Sequence, residues 1–213
     1  MSLSYEPTKC GVCKHWDTMD TEVAQVCGNL KTLSKILQNR NFVMYVHGGQ
    51  CEEGGKMEVR IRKARGQNDH DLLVKMLDEY IRELHDMDAN VEIRPEGKIR
   101  RDFLWLRDTL YWLIMADKEV AGFCILGHRE NCHPQADGYV EEFYIRPDYR
   151  RKGIGFAGAK MILDGKSRVC LDIMQKNLVA KAFWDRVFDG WTEKHVKDIR
   201  EDVPYADFYF YEK

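Results

Sequence analysis

Apolar and polar positions first fall into strand-like alternation at residues 57–64, where Met57, Val59 and Ile61 interleave with Glu58, Arg60 and Arg62. A period of two sets one face on a core and the other in water, so this stretch is expected to open a sheet. The period then changes. Leu72, Leu73, Met76, Leu77, Tyr80, Ile81 and Leu84 recur at three- and four-residue spacing, which predicts an amphipathic helix from Asp69 onward, with Asp69 or Asp71 near its N-cap. A weaker helix is expected at 98–107, after Pro95 and Gly97. Three strands are expected next, at 110–116, 119–128 and 139–145, the first two joined as a hairpin across Asp117-Lys118. Helical spacing returns at 154–163, a strand at 169–173, a helix at 177–184, and two last strands near 191–196 and 208–211. Such an order implies an α/β (α+β) domain in which helices flank a mixed sheet.

Length and charge narrow the function. A chain of 213 residues holds one domain of about 150 residues and a small appendage. The formal net charge of −2 supplies no global field for nucleic acid or a membrane surface, so anion binding must be local. The N-terminus lacks a signal pattern and no apolar run approaches the length of a spanning helix, so a cytoplasmic protein is expected.

Four of the seven cysteines, Cys10, Cys13, Cys27 and Cys51, lie before the linker-like Glu52-Glu53-Gly54-Gly55. The chain is therefore divided into a Cys-rich segment, 1–55, and a larger domain, 56–213. The Cys10-x-x-Cys13 turn can set two thiolates on one cation, and Cys27 and Cys51 could complete a tetrahedral zinc site, with His15 or His47 as substitutes. The irregular spacing leaves an iron–sulfur cluster and free or redox thiols open beside zinc. Cys124 and Cys170 fall in strand-like runs and are expected to be buried thiols.

The most specific chemistry lies at 142–155, where a strand runs through a basic turn, Arg150-Arg151-Lys152, into Gly153-Ile154-Gly155 at a helix start. Bare N–H groups and a partial positive charge at a helix N-terminus suit a phosphate. Arg150-x-x-Gly153-x-Gly155 resembles the Arg/Gln-x-x-Gly-x-Gly/Ala motif of the GNAT superfamily of N-acetyltransferases, and Asn177-x-x-Ala180-x-x-Phe183-Trp184 is similar to the Asn-x-x-Ala-x-x-Phe-Tyr segment of the family's last helix. The resemblance covers the chain from about Lys56 onward. It implies a mostly antiparallel central sheet flanked by helices, with the pyrophosphate of acetyl-CoA held at Arg150, Arg151, Lys152, Gly153, Ile154, Gly155 and Phe156. It further implies that the main chain of Phe143, Tyr144 and Ile145 pairs with the pantetheine arm, and that Asn177 approaches the arm from the opposite side. Where many members carry a tyrosine that protonates the leaving thiolate, this chain has Trp184. Tyr144, Tyr149, Tyr205 and Tyr209 are candidate replacements.

Glu141 and Glu142 are the candidate general bases, and alternation allows only one of them to face the acceptor unless a bulge intervenes. Asp86, Asp88 and Glu92 could attract a cationic amine. The expected activity is acetyl transfer from acetyl-CoA to a primary amine, of a small molecule or else of a peptide or protein. The alternative is a non-catalytic acyl-CoA sensor acting through the Cys-rich segment. A homodimer, or a protein partner of that segment, is left open; nucleic acid is not an expected partner, because residues 1–55 lack a basic cluster with interleaved aromatics.

Overall fold

The computed structural model describes residues 44–47, 56–93, 109–127, 133–195 and 203–213, the first four by their backbone alone. Among the described residues eight strands form one sheet, β1 (Met44–His47), β2 (Lys56–Lys63), β3 (Leu110–Ala116), β4 (Glu119–Gly127), β5 (Gly138–Ile145), β6 (Arg168–Met174), β7 (Thr192–His195) and β8 (Ala206–Glu212), in the spatial order β1-β2-β3-β4-β5-β6-β8-β7. Every neighbouring pair is antiparallel except β5 and β6. Three α-helices among the described residues flank the sheet: α1 (Gly66–Met87), α2 (Ile154–Ile162) and α3 (Leu178–Val187).

The sheet separates two cores. On one face α1 sets Leu73, Val74, Met76, Leu77 and Ile81 against Leu113, Phe123, Ile125, Tyr144 and Met174. On the other, Ile154, Ala157 and Met161 of α2 and Trp184 and Val187 of α3 cover Ile114, Cys124, Val140, Val169, Leu171 and Ile173. Because β4 is buried on both faces, it reads as a continuous apolar run rather than an alternation. At full burial each such aliphatic side chain contributes about 1.5–3 kcal/mol.

The helix that the apolar period starts at Asp69 begins three residues earlier, at Gly66. Asp69 still fixes this end, since its carboxylate accepts the Arg65 N–H (2.7 Å) and two bonds from Arg62 (2.5 and 2.8 Å). β1 was not evident from the sequence; it lies within 1–55 and pairs antiparallel with β2, Met44 opposite Val59. The helix expected at 98–107 lies outside the described residues. Cys124 is a buried free thiol, and burial raises its pKa. Cys170, read as a buried thiol, is buried but disulfide-bonded, its partner lying outside the described residues. Among the described residues no helix is long and apolar enough to cross a membrane.

Candidate active site

The site begins where the sheet stops being continuous. β5 and β6 pair in parallel only at Gly138 with Val169, Tyr139 with Cys170 and Val140 with Leu171. Beyond that point the ladder ends while β5 runs on to Ile145 and β6 to Met174, so a wedge opens between them. At its mouth the chain turns through Pro147–Tyr149 and residues 150–153 into α2.

That turn has the backbone of an anion seat. Arg151 (φ 61°) and Gly153 (φ 78°) both have left-handed φ values, and Gly153 is the N-cap of α2 with no side chain to cap it. A left-handed residue followed by a helical one points successive N–H groups into one concavity, where a phosphate oxygen fits. The first backbone bond of the helix runs from Ala157 N to Gly153 O (3.0 Å), so by helix geometry the N–H groups of Ile154, Gly155 and Phe156 precede the ladder and face the turn. Gly155 lets the helix close on the strand, because a Cβ there would stand 3.1 Å from Ile145 Cγ1 and 3.5 Å from Phe183 Cε2.

The expected donor residues come together around the wedge, several with other side-chain partners than anticipated. Ile154 is buried in the core and Phe156 lies beneath the Lys160 and Arg186 cations. Arg150 donates from Nε to Ile145 O (2.6 Å) and from Nη2 to both oxygens of Glu83 (2.7 and 2.9 Å). The Asn177 side chain accepts the Ala180 N–H (3.0 Å), capping α3. Phe143 stacks on Phe183 with centroids 5.3 Å apart and meets Trp184 edge-on at 5.2 Å. Trp184, only 5 % exposed, also packs on Phe183 and Phe188, so its indole belongs to an aromatic stack under the wedge.

A bulge decides where the two glutamates point. Ile125 of β4 pairs with Glu142 and the next residue, Leu126, with Val140, leaving Glu141 as an extra residue in β5. Val140 and Phe143 consequently share the α2/α3 core although three positions apart, while both carboxylates fall on the α1 face. There Glu141 leans toward β4: a Cβ on Gly127 would stand 2.7 Å from its carboxyl carbon. Glu142 accepts the Tyr80 hydroxyl, whose pKa is pushed well above 10.0 first by burial and then by the Glu142 charge.

This face is acidic. The Tyr144 hydroxyl donates to Glu83 (3.3 Å) and is pushed up to about 12 by burial, with Glu83 and Glu79 adding to it. The Tyr139 hydroxyl donates to Asp172 (2.8 Å). Of the acids the sequence offered for an amine, Asp86 and Glu92 are exposed, and Asp88 is tied to Lys176 (3.0 Å). Of the candidate tyrosines, Tyr144 and Tyr205 lie on the α1 side, Tyr209 packs under Lys181 on the other, and Tyr149 lies beside Arg146. Tyr80 and Glu83 were missed. Helical spacing places Tyr80 on the stripe of α1 and Glu83 one turn on, but nothing local links them to Glu142 or Arg150.

Cys10, Cys13, Cys27 and Cys51 lie outside the described residues; among the described residues no group of three or more His, Cys, Asp or Glu could hold a metal.

No curated protein matches the chain. Its fold is similar to an acetyltransferase from Thermus thermophilus (20 % identity, TM-score 0.55, 73 % of this chain and 97 % of that one). It is also similar to spermidine N-acetyltransferase from Vibrio cholerae, solved with CoA and spermine (14 %, TM-score 0.50, 72 % and 93 %). A third is the diaminobutyrate acetyltransferase EctA from Paenibacillus lautus, solved with L-2,4-diaminobutyric acid and CoA (12 %, TM-score 0.50, 73 % and 95 %). These likenesses establish the fold. The sequence profile of the acetyltransferase (GNAT) family matches residues 75–189, more than half the chain, from within α1 to just past α3, and the chain belongs to that family.

Proposed function

We propose that this acetyltransferase carries an acetyl group from acetyl-CoA to the primary amine of a small molecule, by direct attack with both held in one complex. The observation that carries the reading is the wedge, a strand edge opening beside a glycine turn whose amides converge at a helix N-terminus. Acetyl-CoA supplies an activated thioester. The N–H groups of Ile154, Gly155 and Phe156 hold the pyrophosphate, with Arg151 and Lys152 adding charge, and the Phe143 to Ile145 backbone orients the pantetheine arm. Asn177 acts by fixing the start of α3 on the opposite lip.

The amine enters from the α1 face. Glu142, oriented by Tyr80, is the group that removes its proton, directly or through one water, and the carboxylates of Glu79 and Asp172 favour a cationic acceptor. The structures of similar fold solved with spermine and with L-2,4-diaminobutyric acid support a small amine as the acceptor.

The test is release of CoA from acetyl-CoA over a panel of diamines, polyamines, amino sugars and peptides. Turnover with one or more small amines is expected. Tight CoA binding without release across the panel would instead favour an acyl-CoA sensor.

A further inference from the structure

Glu83 lies on α1, the helix that borders the acceptor face, yet its carboxylate reaches the donor side. It receives both Nη2 bonds of Arg150 and the Tyr144 hydroxyl, and the Arg150 guanidinium lies 5.3 Å over the Tyr144 ring. Arg150 is the first residue of the pyrophosphate turn, and its Nε is bonded to Ile145 O, the last residue of β5. One guanidinium therefore bridges the end of the strand, the start of the turn and the helix across from both. The two anchor points matter, since a planar guanidinium held at Nε and at Nη2 has little freedom to rotate.

We propose that Glu83 is a positioning residue for the donor loop: it locks Arg150 as a brace that presets the amides of residues 153–156 for a diphosphate. This rests on the reading of residues 150–155 as the pyrophosphate seat. In this arrangement Arg150 contributes to CoA binding through the loop it stiffens, and α1 becomes the element through which the acceptor face and the donor seat influence one another.

The experiment is calorimetric titration of CoA into the full chain as wild type, Glu83→Gln, Arg150→Lys, the double variant, and Arg82→Gln. Arg82 is the control because it pairs with Asp78 on the exposed side of α1. For a partly exposed pair in which one nitrogen meets both carboxylate oxygens, Glu83→Gln and Arg150→Lys should each weaken CoA about three- to tenfold. Their double variant should be no weaker than the worse single, and Arg82→Gln should match wild type. Additive losses in the double variant would show that the two residues act separately and would overturn the proposal. So would an unchanged or tightened CoA affinity in Glu83→Gln, the latter because Arg150 would then be a phosphate ligand that Glu83 restrains. If Glu83→Gln does not fold, Glu83→Asp, which keeps the charge but withdraws it from Arg150, takes its place in the cycle, and wild-type or tightened CoA affinity in it is the contrary result. Absence of CoA binding by wild type would reject the seat itself, a different failure from that of the brace.

Discussion

Replacing Trp184 with tyrosine restores the residue type that many relatives use as a proton donor, and the structure says it should harm rather than help. The indole is surrounded by Phe143, Phe183 and Phe188 at centroid distances of 5.0–5.7 Å, none of which can accept a hydrogen bond from a phenol. Burying a hydroxyl there without a partner costs about 1–3 kcal/mol, and the smaller ring loses packing besides. In a chain of this size each kcal/mol lowers the melting temperature by about 2–4 °C, so Trp184→Tyr should melt several degrees below wild type. Trp184→Phe, which shrinks the ring without adding a hydroxyl, should lose less. Differential scanning fluorimetry on the three proteins reads the first expectation, and kcat with the best amine of the panel reads the second, with Trp184→Tyr no faster than wild type. A Trp184→Tyr enzyme of undiminished stability that turns over several-fold faster, with a new alkaline limb in its pH profile, would show that the side chain reaches the reacting sulfur.

Other outcomes follow from the same geometry. Glu142→Gln should lower kcat/KM by about 10²–10⁴, the usual worth of a general base, whereas Glu141→Gln should lower it less than tenfold because that carboxylate leans toward β4 and Gly127; steady-state kinetics with equal or reversed effects would reject the assignment. Gly155→Val places a branched carbon within 3.1 Å of Ile145 and should destabilise by about 1–3 kcal/mol while weakening CoA, measured by urea melts and calorimetry; normal CoA affinity would contradict the close-packed turn. Asp69 is held below its usual 3.8 chiefly by the Arg62 side chain, and a lowered folded pKa stabilises fully above 3.8 and ceases to as pH falls through the folded value. The urea-midpoint gap between wild type and Asp69→Asn should thus be full above about pH 5 and close at lower pH; a gap that widened in acid would reject the ion pair.

The sequence disclosed what depends on local spacing. All seven strands from β2 onward and the three helices fall within a few residues of their expected places, because period and turn residues act over short range. The Gly153 turn was legible for the same reason, since a left-handed residue at a helix start leaves a glycine in the text. What was not legible is set by pairing at a distance. The bulge at Glu141 depends on how β4 registers with β5, and alternation alone would have put the two glutamates on opposite faces. The ion pair of Arg150 with Glu83, 67 residues earlier, was hidden for the same reason, and the use of the Asn177 oxygen to cap α3 was not read either. Trp184 was legible as a departure from the tyrosine of many members, but its packing against Phe143, far earlier in the chain, was not.

The most direct measurement is amide NMR of the full chain titrated with CoA and, separately, with ADP. Both ligands should shift the N–H resonances of Gly153, Ile154, Gly155 and Phe156, and CoA alone should also shift those of Phe143 to Ile145 along the wedge. Amides of 153–156 that stay in place while CoA perturbs another surface, or perturbs none, would contradict the seat on which the acetyltransferase mechanism is built.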